Sequence, residues 1–328
     1  MSKVRLFGHS ILWLSIVAIA SLAVTLLLAR FFMLQLPGYK GDLESYLREE
    51  IGLHLSIGHI AASVDGFKPQ VRLKNISLEQ FQQQQGTLNI AEIRLTFNLF
   101  DLLSGKVIPN KTTVVGTQLS IRRFADGHIS IEGLSLNSQP SDTPADLSWL
   151  LAEGIFEVQK SELVWQDDMR DVPNISLSNA HILFENTADQ HNLGVTANLP
   201  NGGSFTFSLN AHGDVLSGDD WHAEGYFKAK EVDLQSYLTR MKIDEFSLKK
   251  GLAGVEIWSR WDSASLSQVK GRVSVNGVEL LRAEDELSLQ QLSTQLIWAK
   301  SAQGWDLQLS DLVFQAADVV QPESDFLL

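Results

Sequence analysis

Asp219, Asp220 and His222, gathered around Trp221, place three potential metal ligands within four residues, a donor set that suits a divalent cation. The surrounding pattern reads as a β-strand. Neighbouring strand side chains point to opposite faces, so these donors cannot all converge on one ion. His54, His59, His128, His181, His191, His212 and His222 occur singly, mostly on the polar phase of strands or in turns, and read as solvated histidines. The chain holds no cysteine, which removes disulfides and thiolate metal sites. No GxSxG, HExxH, phosphate-loop or dinucleotide fingerprint is present. The residues therefore assemble no catalytic set, no metal site and no cofactor site, and the chain reads as non-enzymatic. Its formal net charge of −13, without a dense Lys/Arg stripe, excludes nucleic acid as a partner. What distinguishes the chain is how its apolar residues are distributed.

The run Ile11 to Ala29 is unbroken and apolar, and nineteen helical residues span about 28 Å, close to the roughly 30 Å core of a bilayer. Lys3 and Arg5 followed by Ala18-Ile19-Ala20 also imitate a secretory signal. Cleavage there would cut the run in half, and the following Arg30-Phe31-Phe32 is bulky, so an uncleaved anchor is the expectation. A short basic tail before a long polar domain places the N-terminus in the cytoplasm and the bulk outside. The boundaries read as a tail over 1–10, an anchor over 11–36, a juxtamembrane amphipathic helix over 37–52, a β segment over 53–134, a linker over 135–148 and a second β segment over 149–328.

Asp42 is placed to cap the juxtamembrane helix, and Leu43, Tyr46, Leu47 and Ile51 form its apolar stripe before Gly52. Beyond it the hydrophobic period changes to two. Leu55 and Ile57 slip in phase at Gly58-His59 into Ile60, Ala62 and Val64; Val71 and Leu73 slip into Ile76 and Leu78; Leu88 and Ile90 slip into Ile93, Leu95 and Phe97. A one-residue slip exchanges faces, so these slips predict bulges that curve and twist a long sheet. Leu99, Leu102 and Leu103 suggest one helical turn, Asp126-Gly127 a hairpin, and Asp233 the cap of a short helix. The second half alternates most clearly. Val195, Ala197 and Leu199, then Phe205, Phe207 and Leu209, then Ala223 and Phe227, then Val255 and Ile257, and finally Val273 and Val275 share one apolar phase. Trp149, Trp165, Trp221, Trp258, Trp261, Trp298 and Trp305 read as core residues.

The expected fold is mostly β: an N-terminal transmembrane helix, then an elongated, twisted antiparallel sheet with a few short helices. The helices are too few to cover the apolar face. Such a face is a groove for an apolar ligand, and the twelve alternating residues just named are its candidate lining.

The opening 135 residues resemble the N-terminus of the AsmA-like superfamily, most closely its YhdP branch. The resemblance rests on the anchor, the Asp42 to Ile51 helix, Ile57-Gly58-His59-Ile60, Gly66-Phe67-Lys68-Pro69, and Leu119-Ser120-Ile121-Arg122-Arg123-Phe124 with Asp126-Gly127 and Ile129-Ser130-Ile131-Glu132-Gly133-Leu134. It implies a bridge-like lipid transfer protein of the Gram-negative envelope, anchored in the inner membrane, with a periplasmic groove that carries phospholipid toward the outer membrane and supports its barrier. The helix of Leu43, Tyr46, Leu47 and Ile51 would gate the membrane end. Members of this branch are several times longer, so the second β segment is expected to be incomplete at its C-terminus, with a downstream segment or partner extending the groove. The alternative is an envelope assembly or scaffold factor whose apolar groove receives another protein's strand.

Overall fold

The computed structural model of the chain describes residues 35–50, 55–65, 68–79, 87–127, 129–132, 153–169, 174–213, 215, 221–238, 247–263, 265–282, 285–301, 304–316 and 319–327, with seven isolated positions before residue 35. Most of the run Ile11 to Ala29 lies outside the described residues, as do Ile51, the linker over 135–148, and Asp219 and Asp220. Among the described residues no helix is long and apolar enough to cross a membrane.

A 3-10 turn, Leu36–Tyr39, with Pro37 in its first positions, leads into helix α1, Lys40–Glu50. The helix starts before Asp42, which stands in its first turn and not at the cap. Strands β1 (Leu55–Asp65), β2 (Lys68–Glu79), β3 (Thr87–Thr96) and β4 (Lys111–Val115) pair antiparallel in sequence, with the short helix α2 (Leu99–Leu103) between the last two. A hairpin follows, β5 (Gln118–Arg123) and β6 (Ile129–Glu132), turned at Gly127 with φ 90°. Then come β7 (Gly154–Asp167), β8 (Ile175–Asn186), β9 (Gln190–Asn198), β10 (Ser204–His212) and β11 (His222–Asp233). Helix α3 (Leu234–Leu238) leads to β12 (Ser247–Asp262), β13 (Ser265–Arg282), β14 (Asp285–Ser301), β15 (Gly304–Ala316) and β16 (Val319–Leu327). Asp233 caps α3 as its sequence suggests, accepting from the Gln235 N–H at 3.1 Å and the Ser236 hydroxyl at 2.7 Å.

All sixteen strands belong to one sheet. It departs from the purely antiparallel expectation at one place: β7 runs parallel to β4 along its first half and to β5 along its second. The hairpin explains this. β6 occupies one side of β5, so β7 can add only on the other, and the chain from β6 to β7 is long enough for the crossover a parallel pair requires.

The phase slips expected near Gly58, between Leu73 and Ile76, and between Ile90 and Ile93 are present, and they belong to a line that crosses the sheet. Asn75 (φ 53°), Gly116 (φ 65°), Lys160 (φ 50°), Asn179 (φ 49°) and Glu231 (φ 54°) are all left-handed. Around Lys160, Asn179 and Glu231 the pairing register shifts. A left-handed residue inside a strand resets the alternation of faces. That is why Leu73 and Ile76, on either side of Asn75, are buried in one cluster, which Ile57 and Ile60 join across the pairing break where Gly58 faces Asn75. For the same reason Leu177 and Ala180 share the larger cluster with Val158, Leu163, Leu119, Ala197, Leu199 and Ala229. Both halves of each long strand thus present apolar side chains to the same side.

Candidate functional site

The candidate site is a face of the sheet, and its geometry follows from register. Residues directly opposite one another on paired strands point to the same side. Starting at Ile60 the partners run Leu73, Ile93, Val114, Val158, Ile182, Val195, Phe207, Phe227, Ile257, Gly271, Leu296, Leu309 and Phe326. One row therefore crosses the sheet from β1 to β16, leaving aside only the β5–β6 hairpin, without a polar side chain. At its single glycine the space is filled from the next strand, because a Cβ on Gly271 would lie 3.1 Å from Leu296 Cγ.

The row displaced by one residue is different in kind: Ala61, Arg72, Arg94, Thr113, Glu157, Leu183, Gly194, Ser208, Tyr226, Trp258, Lys270, Ile297, Gln308 and Leu327. A further row on this polar side forms a ladder. Lys228 donates to Glu256 at 2.6 Å, Tyr226 donates to the same carboxylate at 2.6 Å, and Arg272 reaches its other oxygen at 3.4 Å. Donation by Lys228 and Tyr226 holds the Glu256 carboxyl below its ordinary range.

Eleven of the twelve groove residues expected from the sequence fall on the apolar side by register, and Leu199, just beyond β9, is buried in the same cluster as Ala197. Phe205 faces Ala197 and Ala229; Phe207 faces Val195 and Phe227; Val255 faces Ala229 and Val273; Val275 faces Ala253 and Leu292. Leu209 faces Leu193 and Gly225, and Ala223 faces Ala211 and Trp261. The Phe205 and Phe227 rings meet edge to face at 5.5 Å. Ala197, Leu199, Ala223 and Ala229 are buried, whereas Val195, Phe205, Phe207, Leu209, Phe227, Val255, Ile257, Val273 and Val275 are only half-buried. The face is packed along its own length and still partly open.

Of the helix stripe, Leu43 packs against the Ile57 cluster, Leu47 is half-buried and Tyr46 is exposed. Glu44 lies on the docked side, and its Oε1 accepts the Ile57 N–H at 2.7 Å. The helix therefore lies on the first strand of the sheet and satisfies one of its edge amides.

Three features depart from the sequence reading. His212 and His222 are not solitary, since register sets them opposite each other with ring centroids 5.3 Å apart and planes within 17°. His181 Nε2 contacts Glu157 Oε1 at 3.0 Å. Trp258 and Trp305 are exposed, at 42% and 58%, and do not belong to the core. Among the described residues no group of three His, Asp or Glu could hold a metal ion. Three cavities lie on the polar side; one of about 470 Å³ is lined by Glu224, Trp258, Arg260, Lys270, Arg272 and Gln295, among others.

No curated protein and no solved structure matches the chain. A family model described as YhdP protein matches residues 1–328, so the likeness legible in the first 135 residues extends through every strand of the sheet, and the chain belongs to the YhdP family.

Proposed function

We propose that this chain is a lipid conduit of the bacterial envelope, its apolar sheet face carrying the acyl chains of phospholipids while its polar side faces water. Membership of the YhdP family makes it an AsmA-like envelope protein of a non-enzymatic family. The finer reading is supported above all by the apolar row from Ile60 to Phe326, which has no polar interruption, whereas the row one residue away carries Arg72, Arg94, Thr113, Glu157, Ser208, Tyr226, Lys270 and Gln308 among its members. Acyl chains need a continuous apolar path, since each polar group left unpaired against them is costly. A sheet that served only as a scaffold would have no such need. The sixteen strands less the β5–β6 hairpin span roughly 60 Å at about 4.8 Å per strand. In this reading the apolar run Ile11 to Ala29 fixes the chain in the inner membrane, with the bulk in the periplasm, and α1 closes the membrane end of the face.

The test is a matched pair of substitutions. Phe207→Asp places a carboxylate between Val195 and Phe227 and is expected to abolish phospholipid loading of the full chain while leaving it folded. Thr206→Asp, on the polar side, is expected to load as the native chain does. Equal loading by both variants would contradict the assignment of faces.

A second reading draws on β16, where Val319, Val320 and Phe326 are 63%, 64% and 46% exposed and, among the described residues, the strand pairs with β15 alone. An edge of that kind accepts a further strand, from this protein or from a partner acting as an assembly factor. Phospholipid recovered with the chain in proportion to it favours the conduit; a bound protein strand with no lipid favours the scaffold.

A further inference from the structure

We propose that the segment joining β3 to β4 is a membrane-contacting lip that seats the rim of the sheet on an anionic phospholipid surface. The inference rests on the anchored-conduit reading above and adds the place where the sheet meets the bilayer. Four large apolar side chains within nine residues face solvent: Phe100 is 78% exposed, Leu103 62%, Val107 72% and Ile108 70%. Isolated exposed apolar residues are ordinary, but four in one projecting segment mark a contact surface.

The segment is not a loose loop. Asn98 Oδ1 accepts the Phe100 N–H at 2.9 Å, the Ser104 hydroxyl donates to the Asp101 carbonyl at 2.8 Å, and the Lys106 N–H donates to that same carbonyl at 2.8 Å. Its stems are tied as well, Phe97 N–H to the Pro69 carbonyl at 2.9 Å and Asn110 N–H to the Thr96 carbonyl at 3.0 Å. The apolar side chains are therefore held outward by a hydrogen-bonded frame.

Charge identifies the partner. The stems open directly onto a cleft of about 270 Å³ on the polar side, lined by Lys68, Arg94 and Lys111 with Thr96 and Asn110, and by one carboxylate, Glu157. Lys111 pairs with Glu157 at 2.8 Å and Arg94 with Glu92 at 2.8 Å, which leaves the exposed Lys68 as the lining's cation without an ion pair among the described residues, in a chain of net charge −13. The segment itself carries the exposed Lys106, with the half-buried Asp101 as its one carboxylate. An apolar wedge beside hydrogen-bond donors and the exposed cations Lys68 and Lys106 matches the acyl boundary and phosphate layer of an anionic bilayer.

The chain has no native cysteine, so single labels are clean. Leu103→Cys, Val107→Cys and the polar-side control Ser208→Cys are each labelled with an environment-sensitive nitrobenzoxadiazole in the full chain. The labelled chains are reconstituted in vesicles of phosphatidylethanolamine and phosphatidylglycerol carrying a nitroxide lipid. Quenching at 103 and 107 is expected to be several times that at 208, and to fall when phosphatidylcholine replaces phosphatidylglycerol or when Lys68→Glu and Lys106→Glu are introduced together. Labels that stay unquenched, whether in water or shielded by protein, overturn the proposal, as does quenching equal in the two lipid mixtures. A Phe207→Cys label in the same vesicles separates the two readings. Quenching there with a silent lip removes the lip alone, and a quenched lip with a lipid-free Phe207 removes the conduit alone.

Discussion

Glu157 lies where three strands bring their polar sides together, with its carboxylate facing Lys111 Nζ at 2.8 Å, His181 Nε2 at 3.0 Å and the Thr113 hydroxyl at 3.1 Å. Burial alone would push its pKa up. Donation from Lys111, His181 and Gln159, with the charge of Lys111, outweighs that penalty and brings it down from 4.5 to about 2. A carboxylate depressed on folding contributes stability that is complete above its unfolded pKa and is lost as pH falls through the folded one. We therefore expect the native chain to lose stability between about pH 4.5 and about pH 2 in part through this residue. Glu157→Gln should flatten that part of the profile and lower stability at neutral pH by about 1–3 kcal/mol, because partners lose a charged acceptor. Thermal unfolding of the detergent-solubilised chain across that range checks both statements. None of this cluster was legible in the sequence, because Lys111, Glu157 and His181 lie on β4, β7 and β8 and meet only through register. The His212–His222 stack was hidden for the same reason.

At the scale of elements, the line of left-handed residues keeps the apolar side apolar along strands of up to fourteen residues. Without the reset at Lys160, Leu163 would point to the polar side instead of joining Val158 in the core. Gly116 is suited to this conformation, and a Cβ there would also meet Ala91 Cβ at 2.9 Å. Glu231 is not suited, since a side chain at φ 54° is strained. Replacing Glu231 by Gly should raise stability by about 0.5–1 kcal/mol, the relief of strain exceeding the added chain entropy. Gly116→Ala should lower it by about 2 kcal/mol through strain and overpacking. Pulse proteolysis of the two variants beside the native chain measures both, and equal sensitivity of all three would remove the seam's energetic role. The sequence made part of this line visible. The slips near Gly58, Asn75 and Ala91 stood out as breaks in Ile and Leu spacing. Those at Lys160 and Glu231 did not, because neither residue type favours the left-handed region as Asn does. The parallel pairing of β7 was likewise hidden, since a long crossover permits it without naming the neighbour.

The whole molecule is a two-sided sheet in which each strand repeats the same division. Its apolar phase could be read piecewise from the sequence, as at Val195 to Leu199 and Phe205 to Leu209. Its continuity from β1 to β16 could not, because continuity depends on which residues face one another across strands. The conduit reading stands on that continuity, so the most direct measurement asks which side of the sheet touches lipid. A benzophenone side chain is introduced in the full chain at Phe207 or Ile257 on the apolar row, and at Ser208 or Trp258 on the polar row, and irradiated in membranes containing phosphate-labelled phospholipid. The account predicts lipid adducts at Phe207 and Ile257 and none at Ser208 and Trp258. Adducts equal on the two sides, or absent from both, would contradict it.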